Sequence, residues 1–244
     1  MSSYGRLTLD EKAVPGHEYL LEGFTYKSLA RWMPRIGEAV TVRDSVHTLF
    51  RARILSLQRD GALILVFEHI GLEEKEVDIT LLQAVPQKER MELIIQKATE
   101  LGAGSIIPFK SERSISIEER DSLQKKSHKW QEVALKAAKQ SRRPDIPEIS
   151  PAVPFEDALT SVKGVELKLM LWEKTGLPHI KEVLREARGA KAAAILSGPE
   201  GGFTGEEARK AEDAGFIPIS LGRNILRAET ASIISVGLIR HELA

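Results

Sequence analysis

From residue 79 to the C-terminus, short apolar runs alternate with longer segments whose apolar residues fall at helical spacing. That alternation constrains the fold most. Strands joined through helices form a mostly parallel α/β sheet with helices on its faces. The expected strands cover residues 79–85, 105–109, 167–172, 192–196 and 216–221. The expected helices cover 88–101, 179–188, 205–214 and 228–243. In the first of these, Met91, Leu93, Ile94, Ala98 and Leu101 recur near the 3.6-residue period, and Gly102 suits the position just past its end.

The N-terminal part has a different texture. Residues 39–43, 50–57 and 61–67 read as short strands, with turns at Gly37, Asp44-Ser45 and Asp60-Gly61. Asp-Gly between two strand-like runs is a strong hairpin signal. Closely spaced strands without a long helix suggest a small barrel or sandwich. The charged stretch Glu73-Glu74-Lys75-Glu76 reads as a linker, dividing the 244 residues into domains 1–72 and 73–244.

Composition removes several function classes. The chain has no cysteine, so disulfide frameworks and thiolate chemistry are excluded. The first residues lack the apolar core of a signal peptide, and no apolar run reaches the roughly 18 residues of a membrane span, so a cytoplasmic protein with no membrane contact is expected. Basic and acidic side chains balance at 35 each. A neutral sum does not exclude nucleic acid, because local patches decide.

Two segments carry ligand chemistry. In the first, the apolar run 192–196 leads through Ser197-Gly198-Pro199-Glu200-Gly201-Gly202 into a helix. Glycines let a ligand approach the backbone, and open α/β sheets bind ligands beyond the carboxyl ends of their strands. The same residues also suit a tight turn with Thr204 as helix cap. Neither phosphate-loop pattern, G-x-x-x-x-G-K-[ST] or G-x-G-x-x-G, is present, and Glu200 in mid-loop disfavours an anion. A ligand without phosphate, or one carrying positive charge, fits better. The second segment, 220–231, also leaves a strand and enters a helix, with Arg223, Arg227, Glu229 and Thr230 near the helix start. That set suits anion and polar recognition, or an ordinary capped helix with an Arg-Glu pair.

A third feature is basic. Between residues 122 and 143 there are seven basic side chains and one acid, Glu132. Lys125, Lys129, Lys136, Lys139 and Arg143 fall on one helical face, with Trp130, Val133, Ala134, Ala137 and Ala138 opposite. A solvated helix face explains such a run, and so does binding to a phosphate backbone.

Together the segments 195–203 and 221–231 resemble the RsmE-type 16S rRNA uridine-N3 methyltransferases of the SPOUT class. The similarity extends to 90–102 with Ile107-Pro108 and 111–114, and to 130–141 with Arg143 and 146–148, so it covers about residues 80 to 244. The resemblance implies a C-terminal sheet domain threaded as a trefoil knot, after a small N-terminal PUA-like β-barrel. It implies S-adenosylmethionine as cofactor and no metal. The cofactor would sit in three loops: at Leu171, Trp172 and Glu173; at Leu196 and Gly198, Pro199, Glu200, Gly201 and Gly202; and at Leu221, Gly222, Ile225, Leu226, Arg227 and Thr230. It also implies a homodimer, for which the apolar residues of helix 228–243 are suited.

The implied reaction methylates N3 of a uridine in 16S rRNA, free or within the small ribosomal subunit. Arg227 is the expected stabiliser of charge on the uracil oxygens, and Glu229 is either the base or the residue that orients Arg227. Arg113, Lys136, Lys139, Arg142 and Arg143 are the expected RNA contacts. Two alternatives stay open: a SPOUT enzyme acting on another RNA such as tRNA, and a non-catalytic RNA-binding factor.

Overall fold

The computed structural model describes residues 5–72, 77–86, 90–114 and 129–243. The expected linker, the start of the helix at Lys88, and Lys125 and Lys126 lie outside the described residues. The chain divides into two compact units. One holds Ser2–Lys75 together with Leu135–Ile146, and the other holds Glu76–Ala134 and Pro147–Ala244.

The smaller unit is built on an antiparallel sheet. Its elements are β1 (Glu18–Glu22), α1 (Gly23–Arg31), β2 (Ala39–Arg43), β3 (Thr48–Leu57) and β4 (Gly61–Leu72), with sheet order β1-β4-β3-β2. The Asp60-Gly61 turn joins β3 to β4, and the Gln58 N–H donates to the Gly61 carbonyl at 2.8 Å. Leu21, Leu29, Val42, Phe50, Ile54 and Ile64 form its core together with Leu135, Ala138 and Ile146. Spacing did not anticipate β1 or α1. Helix α1 opens on glycine, continues through Phe24, Thr25 and Tyr26, and has no side-chain N-cap. Those residues are poor helix formers. Burial of Leu29 and a hydrogen bond from Thr25 Oγ1 to the Thr8 carbonyl at 2.9 Å hold the helix in place.

The larger unit carries the parallel sheet. In chain order it contains β5 (Asp78–Ala84), α2 (Arg90–Glu100) and β6 (Ser105–Lys110), then α3 (Trp130–Gln140), whose last turns group with the smaller unit. The strands β7 (Glu148–Ile149) and β8 (Val153–Pro154) and the helix α4 (Phe155–Ser161) follow. The chain then runs through β9 (Leu167–Leu171), α5 (Ile180–Glu186), β10 (Ala192–Ser197), α6 (Gly205–Asp213), β11 (Ile217–Ile219) and α7 (Ala228–Leu243). The order is β11-β9-β10-β5-β6-β7, with β8 also on β6, and every ladder is parallel.

Strand β10 sits between β9 and β5 and shows why its sequence is a continuous apolar run. Ala193 and Ile195 join the core built with Met91, Ile94, Ile180 and Val236, whereas Ala194 and Leu196 join Phe155, Phe203 and Ala208. A strand covered on both faces has no polar side to show. Each large side chain so buried contributes about 1.5–3 kcal/mol. Helix α2 ends at Gly102 as expected. With φ at +93°, Gly102 lets its own N–H reach the Thr99 carbonyl and the Ala103 N–H reach that of Ala98.

Candidate active site

Strands β9, β10 and β11 run parallel and end side by side, so the loops that leave them converge. A cavity of about 650 Å³ opens among these loops. The carboxyl ends of parallel strands are the usual place for a ligand crevice. Every residue expected to hold the cofactor lines this cavity except Leu196, Gly201 and Thr230. Leu196 is wholly buried in β10 and faces the core. Gly201 turns its carbonyl to the Arg113 guanidinium, which donates to it at 2.9 Å. Thr230 is exposed on the first turn of α7, away from the cavity lining. The resemblance implied all three as cofactor residues, but none of them lines the cavity.

The glycine loop is tightly built. The Gly202 N–H donates to the Pro199 carbonyl at 2.9 Å, and Gly202 has φ at +68°. A Cβ there would stand 3.0 Å from Glu173 Oε1, and one on Gly198 would stand 3.1 Å from the Phe203 ring. The loop closes into α6 through a capping box. The Glu207 N–H donates to Thr204 Oγ1 at 3.2 Å, and the Thr204 N–H donates to Glu207 Oε2 at 2.9 Å. The two readings of this segment, cap and ligand loop, are therefore compatible. Glu207, only 6% exposed, also accepts from Ser111 Oγ at 2.8 Å and from the Glu112 N–H at 2.9 Å through Oε1. That clip fixes the segment from which Arg113 reaches Gly201, and the α6 sequence gave no sign of it.

The second loop is anchored from below. Ser232, fully buried on α7, donates to Gln83 Oε1 at 2.6 Å and lies 2.7 Å from Ser197 Oγ, while Gln83 donates onward to the Ala84 carbonyl. This polar chain ties the start of α7 to the ends of β10 and β5. Above it, Arg227 is exposed and lines the cavity, and Ile225 is 84% exposed. Glu229 is 12% exposed, and among the described residues its buried Oε2 has no hydrogen-bond partner. A buried carboxylate oxygen left unpaired costs on the order of 1–3 kcal/mol, and Glu229 itself does not line the cavity.

Sequence spacing did not assign Arg90 to the site, although it opens one of the stretches that carry the resemblance. Its NH1 donates to Glu200 Oε1 at 2.8 Å, and its Nε lies 3.8 Å from Glu229 Oε1. Glu200 is thereby paired in the fold. No cation is near it in sequence, but folding brings one from 110 residues away. Lys174 is a further wall residue that spacing missed, its ammonium 5.1 Å from the Trp172 ring centroid.

Comparison with known proteins decides the family. The RNA methyltransferase domain family model matches residues 73–240. The ribosomal RNA small subunit methyltransferase E of Mesomycoplasma hyopneumoniae is 35% identical over 67% of this chain and 69% of its own length. That of Aquifex aeolicus is 36% identical over 70% of this chain and 72% of its own. The crystal structure of a ribosomal RNA small subunit methyltransferase E from Neisseria gonorrhoeae, bound to S-adenosyl methionine, superposes with a TM-score of 0.69 at 28% identity, covering 98% of this chain and 97% of that one. This chain belongs to the RNA methyltransferase family.

For an RNA methyltransferase, the expected RNA contacts are distributed unevenly. Lys136 and Arg142 are exposed. Lys139 is held by Glu38 at 2.7 Å and Arg143 by Asp145 at 2.8 Å, within the smaller unit. The expected single basic helix face is also interrupted. Helix α3 ends at Gln140, Ser141 Oγ donates back to the Ala137 carbonyl, and Arg142 takes φ at +58°. Arg113 belongs to the larger unit, beside the glycine loop. Among the described residues, no group of three or more acidic or histidine side chains could hold a metal ion, and no helix is long and apolar enough to cross a membrane.

Proposed function

We propose that this RNA methyltransferase transfers the methyl group of S-adenosylmethionine to N3 of a uridine in 16S rRNA of the small ribosomal subunit, in the cytoplasm and as a homodimer. The observation that carries the reading is the single cavity where the loops after β9, β10 and β11 meet. Its chemistry fits the cofactor. The volume suits a ligand of that size, Glu173 on the wall offers a carboxylate to a cationic centre, and Gly198 and Gly202 leave backbone groups approachable.

Bound there, S-adenosylmethionine supplies an electrophilic methyl group on a sulfonium. The chain's own residues must do the rest. Uracil N3 carries a proton at neutral pH and must lose it to become a nucleophile. Glu229, on the first turn of α7 beside the cavity-lining Ala228, is the acceptor assigned here. Arg227 is the donor that stabilises charge developing on the uracil oxygens. The three loops hold the reactants in line, which supplies much of the rate. The smaller unit, read as PUA-like, together with Lys136 and Arg142, holds the RNA. The exposed apolar side chains Leu93 and Ile234, on the packed helices α2 and α7, support the dimer. The trefoil path is part of the same reading. It draws on the Ser220 N–H donating to the Pro178 carbonyl and the Ile180 N–H donating to that of Ser220, which bind the residue just after β11 to the loop after β9.

Calorimetry of the purified chain with S-adenosylmethionine should show one-to-one binding, and its absence sinks the proposal. Arg227→Ala and Glu229→Gln should keep that binding and lower methylation by about a hundredfold or more. Mass spectrometry of RNA from a deletion strain should find one uridine of 16S rRNA unmethylated. A change in tRNA instead would replace the substrate.

A further inference from the structure

The geometry points to Arg90 as a positioning residue that couples the cofactor loop to the proposed base. This rests on the role given to Glu229 above. Arg90 is the first residue of α2, remote in sequence from both loops. Its guanidinium stands between two carboxylates on different loops: Glu200 of the glycine loop at 2.8 Å and Glu229 of α7 at 3.8 Å. The two contacts are unequal in a way that suits two tasks. The short one is a charge-assisted hydrogen bond that fixes the glycine loop. The long one is an ion pair without a hydrogen bond. It supplies compensating charge to Glu229 without a hydrogen bond to its Oε1.

The planar fork of an arginine makes this possible. Two nitrogens of one rigid group face two acceptors, which a lysine ammonium, a single point charge, cannot reproduce. Without Arg90, neither carboxylate would keep this cation beside it. Arg90 thus acts on binding through Glu200 and on the chemical step through Glu229.

The two effects separate in the full-length chain, with S-adenosylmethionine Kd by calorimetry and the single-turnover methylation rate on small-subunit rRNA as readouts. Arg90→Gln should weaken cofactor binding and slow the single turnover, each by about fivefold, as befits a partly exposed ion pair. Arg90→Lys should bring the Kd back to within about twofold while the rate stays about fivefold down. In a double-mutant cycle, Arg90→Gln with Glu200→Gln should weaken cofactor binding no more than Glu200→Gln alone. Recovery of both quantities by lysine, or losses in Kd that multiply in the cycle, would overturn the coupling. So would an Arg90→Gln chain whose Kd and rate match the unmutated chain. Thermal melts of each variant separate a folding defect from the coupling, since a merely structural role would lower melting temperature and lose both quantities for lysine and glutamine alike. An unmutated chain that binds no S-adenosylmethionine would fail the parent reading instead.

Discussion

Gly202 holds a left-handed backbone within 3.0 Å, at the position of a virtual Cβ, of the Glu173 carboxylate. A side chain there meets both a strained φ and a neighbour on the cavity wall. Gly202→Ala should therefore cost about 1–2 kcal/mol in chemical denaturation and displace Glu173, weakening S-adenosylmethionine binding severalfold. Unchanged denaturation and affinity would show that the loop relaxes around the methyl group. At this scale the sequence was informative about backbone and poor about partners. Gly198, Gly202 and Gly222 could be read as ligand-loop residues because glycine reports on local geometry. The cation beside Glu200 and the hydroxyl and amide that meet Glu207 could not, because Arg90, Ser111 and Glu112 come from distant segments.

Among the elements, α7 runs over the expected span, 228–243, and the five strands expected in the C-terminal part are all present. Long apolar segments announce themselves. The two-residue β7 and β8 do not, since two residues are too few to establish a period, and the short α4 was not anticipated either. The basic stripe shows the opposite failure, a pattern that exists in sequence but is only partly available in space. Lys139 and Arg143 are engaged internally, which leaves Lys136 and Arg142 as the accessible charges of that segment. Replacing Lys136 and Arg142 together by Glu should weaken RNA binding across sequences and reduce the slope of log affinity against log salt by about 2. Filter binding at several salt concentrations reads that slope, and an unaltered value returns the stripe to a solvated face. Lys139→Glu should act chiefly by breaking the pair with Glu38.

For the whole molecule, the proposed dimer and threaded path make separate demands. Ile234→Glu places a charge on an apolar, 45% exposed position of α7. It should shift the chain from dimer to monomer in analytical ultracentrifugation, and a chain that is monomeric before the change removes the dimer. A chain pulled from its two ends should stop short of the roughly 3.6 Å per residue of a fully extended polypeptide if a knot tightens within it.

The parallel sheet also sets a timetable. Strand β10 lies between β5 and β9, and its ladder with β5 joins Ala192 to Asp78. A ribosome making this chain completes β5 and then adds more than a hundred residues before the neighbour of that strand emerges. At about 5–20 residues per second that interval is on the order of ten seconds. Throughout it, one side of β5, with the fully buried Leu81 and Leu82 of the finished fold, has no strand to pair with. The nascent chain is thus open to wrong pairing through the middle of its own synthesis, and the strand that ends this exposure is the one that delivers the glycine loop.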